Sequence, residues 1–131
     1  MDPIKLLNSK FKYKYDSRWF DRWRILDTSQ EKVEGDCEDY SLTFVYLASD
    51  QSLRKFWKNL LLRKFSLHYV KTPRGEGHIV CKHNGLYIDN IQKTFRTKEE
   101  YIEKGYKFLF PVPVVFVATK MLFAQVGKLF P

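Results

Sequence analysis

A thiol, an imidazole and a carboxylate stand at Cys37, His78 and Asp89. Brought together, such groups do acyl-transfer chemistry. The thiolate attacks a carbonyl, the imidazole takes the proton and returns it, and the carboxylate holds the imidazole in the right tautomer. The run Gly35-Asp36-Cys37-Glu38-Asp39-Tyr40 reads as a helix start. Asp36 is a good N-cap, and Glu38 and Asp39 put negative charge in the first turn, where the helix dipole favours it. Tyr40, Phe44, Leu47 and Ala48 continue at helical spacing. A cysteine on such a first turn lies beside unsatisfied N–H groups, an environment that favours the thiolate. The same stretch also fits a small buried hydrophobe that happens to be cysteine.

The other two residues belong to Gly77 to Asn90, which reads as a β-hairpin. Asn84-Gly85 supplies the two residues that a type I′ turn needs at positive φ. With those two as the loop, His83 pairs with Leu86, Val80 with Asp89 and His78 with Ile91. His78 and Asp89 then share a face as diagonal neighbours within side-chain reach. A slip of one residue would send Asp89 to the other face. The same parity argues against a zinc site of His78, Cys81 and His83, since His78 points away from the other two. His68 has no evident carboxylate partner and reads as structural or exposed, and Cys81 sits mid-strand with no dipole to activate it.

In that order, Gly35 to Tyr40, Gly77-His78-Ile79-Val80 and Leu86-Tyr87-Ile88-Asp89-Asn90 resemble the bacterial transglutaminase-like cysteine proteinases, within the transglutaminase/papain-like superfamily, and their small phage-encoded relatives. The resemblance spans about Phe11 to Val117. It implies an α+β, papain/transglutaminase-like fold, with a nucleophile helix packed on an antiparallel sheet. It implies a cysteine peptidase working through Cys37, His78 and Asp89 on a protein or peptide substrate, with a transamidase using the same triad as the alternative. No cofactor is required. Some members of the family bind calcium with acidic residues at the cysteine motif, but one acidic run supplies few of the six to eight oxygens calcium takes. Asp36, Glu38 and Asp39 also repel a thiolate. They must turn outward as caps, be compensated by imidazolium, or be neutralised by a cation. For the oxyanion, the Cys37 N–H is one donor; the second is Trp23, or Gln30, whose spacing from the cysteine fits poorly.

The elements that must position these groups follow from pattern. Asp2-Pro3 opens a short helix through about Asn8. Lys10 to Tyr15 alternates lysine and aromatic residues, an edge strand with aromatics inward, or a basic–aromatic nucleic-acid surface. Arg18 to Leu26 reads as helix or helical turn with Trp19, Trp23 and Leu26 on one stripe, and Thr28 to Glu34 as loop. The Cys37 helix ends near Ser49-Asp50. A second helix from Ser52 carries Leu53, Phe56, Trp57, Leu60 and Leu61, with a basic side of Arg54, Lys55, Lys58, Arg63 and Lys64. Phe65 to Val70 is a strand and Thr72 to Gly77 a turn-rich loop. Thr97 to Glu100 is a capping box whose helix stops at Gly105. Phe108 to Val117 is a strand confined by Pro111 and Pro113 to an edge or bulge, and Lys120 to Leu129 a short tail helix.

The 131 residues are one domain's worth, 1–131, and 44% hydrophobic with 17% aromatic residues supports a real core. A net charge of +8, from 23 basic and 15 acidic residues, fits a third reading: a non-catalytic basic protein that binds nucleic acid or an acidic partner. Met1 to Asn8 lacks the apolar run of a signal peptide, and the longest uncharged run, Phe108 to Thr119, is too short to span a bilayer. The expected compartment is cytoplasmic, with both cysteines free.

Overall fold

The computed structural model describes residues 2–14 and 23–129. Helix α1, Pro3–Lys10, opens on Asp2, whose carboxylate accepts from the Ile4 N–H at 3.0 Å. It runs two residues past the expected end and takes Lys10 out of the alternating stretch. Strand β1 is therefore only Phe11–Tyr13, paired in parallel with β2, Val33–Gly35. This two-stranded ribbon is too short to bury a whole aromatic face. Phe11 packs edge-on against Tyr40 at 5.0 Å, but Tyr13 is 52% exposed. Tyr15, Trp19 and the rest of residues 15–22 lie outside the described residues.

The expected helix over 18–26 is absent from its described part. Trp23 to Leu26 is irregular, with Trp23 and Leu26 buried. Its backbone is satisfied by side chains of the next helix instead of by itself: the Arg24 N–H donates to Asp39 and the Leu26 N–H to Thr43, at 3.1 and 2.8 Å. The segment 28–34, expected as loop throughout, ends as β2.

Helix α2, Cys37–Ala48, is the central element; all its residues except Tyr46 and Ala48 are buried. Helix α3, Leu53–Leu61, follows from the Ser52 cap. Its apolar stripe is narrower than expected, since Phe56 and Leu60 are buried but Leu53 and Leu61 are exposed. Strands β3 (Phe65–Lys71), β4 (Gly77–His83) and β5 (Leu86–Ile88) follow, then α4 (Lys98–Glu103), β6 (Lys107–Pro111) and α5 (Val114–Leu129). The expected strand over 108–117 thus stops at Pro111, and the tail helix begins six residues early. Pro111 is tolerated because β6 is an edge strand, and a bulge lies opposite Tyr69 and Val70. The capping box of Thr97 and Glu100 forms as expected, and Gly105, at φ +100°, ends that turn.

The four-stranded antiparallel sheet has the order β5-β4-β3-β6. Asn84 and Gly85 take φ of 53° and 79°, and His83 pairs with Leu86 and Cys81 with Ile88, the register expected from the turn. The ladder stops there, and the expected pairs Val80–Asp89 and His78–Ile91 do not form because the chain turns after Ile88. One face, with Phe65, Leu67, Ile79, Cys81 and Ile88, shares the main core with α2. The other carries Val70, Val80 and Tyr87 beneath Tyr101 and Tyr106. The architecture is α+β, and among the described residues no helix is long and apolar enough to cross a membrane.

Candidate active site

The start of α2 is built from carboxylates. The Cys37 N–H donates to Asp36 Oδ1 at 2.7 Å, and Asp39 Oδ2 accepts from the Asp36 N–H at 3.1 Å, which closes a capping box. Gly35 is required by close approach: a Cβ there would lie 2.9 Å from both Cβ and Oδ2 of Asp39. Asp39 also accepts from the Arg24 N–H and faces its guanidinium at 3.7 Å. Burial nevertheless dominates and pushes its carboxyl up to about 6.

Two of the three acids are thus spent as caps, and the third is not. Glu38 is 3% exposed and accepts a hydrogen bond from Cys37 Sγ at 3.1 Å. Burial first, then Glu38 and Asp36, push the Cys37 thiol far above its ordinary range, against a pull from the Ile79 backbone N–H. In this arrangement the thiol is protonated at neutral pH. The sequence predicts partial ionisation at a helix N-terminus; the structure corrects that, because Asp36 takes the Cys37 N–H and Glu38 turns inward.

His78 and Asp89 form a closed pair. His78 Nε2 lies 2.8 Å from Asp89 Oδ2, with the side chains 6% and 0% exposed. Strand β5 ends at Ile88, and the chain turns at once over Asp89. Asp89 Oδ1 accepts from the Ile91 and Gln92 N–H groups at 3.1 and 2.6 Å, so the carboxylate is held on both oxygens. Nε2 is taken by Asp89, which leaves Nδ1 as the other ring nitrogen. Tyr106 packs tilted on the ring at 6.3 Å. The Tyr101 hydroxyl is pushed up by burial and then by Asp89, and among the described residues it makes no hydrogen bond of good geometry.

The structure therefore joins His78 to Asp89 and brings the Cys37 sulfur to the Ile79 backbone N–H. The Ile79 side chain faces the α2 core, whereas His78 faces the other side of the sheet with Val70 and Tyr106. Among the described residues no hydrogen bond links Sγ to His78; the sulfur's proton goes to Glu38. The oxyanion donors are less well placed than the sequence suggests. The Cys37 N–H is engaged by Asp36, Gln30 lies in an exposed turn, and Trp23 is buried edge-on to Phe116 at 5.5 Å. Both cysteines are free, and Cys81 is fully buried. The zinc grouping does not form: His83 stacks on Phe65 at 4.1 Å, and its Nδ1 lies 2.8 Å from the Lys64 carbonyl.

Two site residues escape a reading of the sequence. Glu38 looks like a first-turn charge, and only packing turns it to the thiol. Tyr13 reaches the site because β1 pairs it with Gly35; burial, then Asp36 and Cys37, push its hydroxyl up to about 12. The ligand-bearing atoms of Asp36, Cys37 and Glu38 lie within 4.8 Å of one another. That set could hold a cation, but two carboxylates and a thiol are a poor donor set for calcium. No protein-family model matches the chain, and no curated protein matches it.

Proposed function

We propose that this protein is a cysteine-nucleophile amide hydrolase, a peptidase of papain/transglutaminase-like fold acting through Cys37, His78 and Asp89. The observation that carries the reading is the buried 2.8 Å His78–Asp89 pair, next along β4 to Ile79, whose backbone N–H meets the helix-initial Cys37. A buried imidazole with a fixed carboxylate can accept a proton and keep the resulting charge. In the reaction, Sγ exchanges Glu38 for His78 Nδ1. Sulfur bonds to the carbonyl carbon as its proton passes to Nδ1. The C–N bond breaks, the amine leaves with that proton, and a thioester remains. Water, deprotonated by His78, then displaces the thiolate and yields the acid. The steps need no metal. Glu38 keeps the resting thiol protonated until a substrate displaces it.

The test is a mixed-sequence peptide library, with acid quenching and mass spectrometry of the protein and products. Acyl adducts on Cys37 and new peptide termini are expected, both lost in Cys37→Ala. Cleavage persisting in Cys37→Ala, or no adduct with any peptide, would overturn the reading. An added primary amine that captures the acyl group in preference to water would make it a transamidase. The +8 charge favours one other reading. Salt-dependent nucleic-acid binding that survives Cys37→Ala, with no adduct formed, would make this a basic binding protein.

A further inference from the structure

A second site lies at the far end of the sheet. A cavity of about 530 Å3 opens between the end of α3, strands β3 and β4, and the segment leading into α5. Its volume falls in the range of small-molecule pockets. None of Cys37, His78 and Asp89 lines it, so it is separate from the triad. Phe65, Leu67, Val112 and Val117 make apolar walls.

The polar groups at this cavity share one electrostatic character. Arg63, Lys64 and Lys82 line it, and no acidic residue does. None of the three cations takes part in an ion pair among the described residues. Ser66 and Lys82 are cross-strand partners, so they share a face with His68, opposite to that of Phe65 and Leu67. The cavity passes round the edge of β3 that β6 leaves uncovered before His68. Ser66 Oγ lies 2.9 Å from His68 Nε2. Burial, then Lys82 and Lys98, hold His68 down to about 4, so the ring is neutral at pH 7 and can donate or accept.

The backbone supplies an independent observation. Helix α3 ends in a Schellman motif: the Lys64 N–H bonds the Asn59 carbonyl at 2.9 Å and the Arg63 N–H the Leu60 carbonyl at 3.2 Å. The first residue past the Leu62 cap, which must be left-handed, is normally glycine. Here it is Arg63, at φ +58°. An arginine thus lines the cavity at a position where helix termination alone would favour glycine, one of five non-glycine residues at positive φ among those described.

We infer that this cavity binds a small amphipathic anion, with its apolar body against Phe65, Leu67, Val112 and Val117 and its charged head toward Arg63, Lys82 and the Ser66–His68 pair. The head is a carboxylate or a phosphate-like group; both match the cations and the hydroxyl.

The full chain is titrated with the fluorescent sulfonate 8-anilinonaphthalene-1-sulfonate and with uncharged N-phenyl-1-naphthylamine. Saturable binding of one sulfonate per chain is expected. Lys82→Met and Arg63→Gly should each weaken it about tenfold, the worth of one charge-assisted hydrogen bond, while the neutral probe changes less than about twofold. Arg63→Gly should not lower the melting temperature, because glycine suits the position. That variant therefore separates lost recognition from lost fold. Displacement by decanoate or by decyl phosphate would identify the head group. Unchanged sulfonate affinity in both variants would overturn the assignment. So would an equal loss for the neutral probe, unsaturable binding, or displacement by neither competitor.

Discussion

His78 and His68 lie on the same face of one sheet, on adjacent strands, and their surroundings give them opposite abilities. His78 meets Asp89 at 2.8 Å, where the chain turns after β5. His68 meets Ser66 at 2.9 Å, two residues earlier on its own strand, with Lys82 and Lys98 nearby. A fixed carboxylate can stabilise an imidazolium; a hydroxyl among cations cannot. In the proposed reaction the first histidine carries the proton, and in the inferred anion site the second stays neutral and presents hydrogen bonds. His78 is buried and His68 is half-buried, so burial and partner together set the two environments apart.

The largest expected effect tests that contrast directly. Asp89→Asn should lower the rate of thioester formation by about 10³–10⁴, since it removes the charge that supports imidazolium while an oxygen still accepts from Ile91 and Gln92. Ser66→Ala should change the rate less than about twofold. Single-turnover acylation of Cys37, followed by intact mass, measures both. Comparable effects of the two substitutions would erase the distinction between the histidines.

A smaller effect concerns the resting thiol. Glu38→Gln removes the nearest carboxylate from Cys37 and should raise its alkylation by iodoacetamide at pH 7.5 by about tenfold, one unit of thiolate fraction. Cys81, fully buried, should label more slowly than Cys37 and be unaffected. An unchanged Cys37 rate would mean that Glu38 does not hold the sulfur in its protonated form.

The smallest effects are in stability against pH, and they have opposite signs. His68 is lowered from 6.5 to about 4, so the unfolded chain binds the proton first and stability falls as pH drops from about 6.5 to 4. That loss is up to about 2 kcal/mol, at about 1.4 kcal/mol per pKa unit with allowance for partial exposure. Asp39 is raised from 3.8 to about 6, so protonation favours the folded state and stability rises as pH falls through the same window. Urea denaturation at pH 7, 5.5 and 4.5 should show His68→Gln removing the downward slope and Asp39→Asn removing the upward one. Slopes that move together would contradict the two environments.

Much of this was legible in local sequence. Asp36 before an apolar periodic run marks the start of α2, and Thr97 with Glu100 marks α4. Asn84-Gly85 sets the hairpin register as far as Cys81 and Ile88, and Asp89 then meets His78 from the turn that follows β5. Other elements were not legible. Trp23 to Leu26 has helical spacing, yet its N–H groups are met by Asp39 and Thr43, residues 15 and 17 positions away, so no helix is needed. The Lys10 to Tyr15 alternation was overridden by a helix that continued through Lys10 and by a ribbon too short to bury both faces.

What the sequence determined by itself is what short-range geometry controls: caps, the tight turn, and the pairing of a histidine with an aspartate eleven residues on. The tertiary structure decided how charge is shared among groups that packing brings together. It turned Glu38 inward onto the Cys37 thiol, seated Tyr13 beside Asp36 through a parallel pairing, and gathered Arg63, His68 and Lys82 from a helix end and two strands around one cavity. The energies of such groups depend on burial and on neighbours distant in sequence, and neither is encoded in the spacing of a motif.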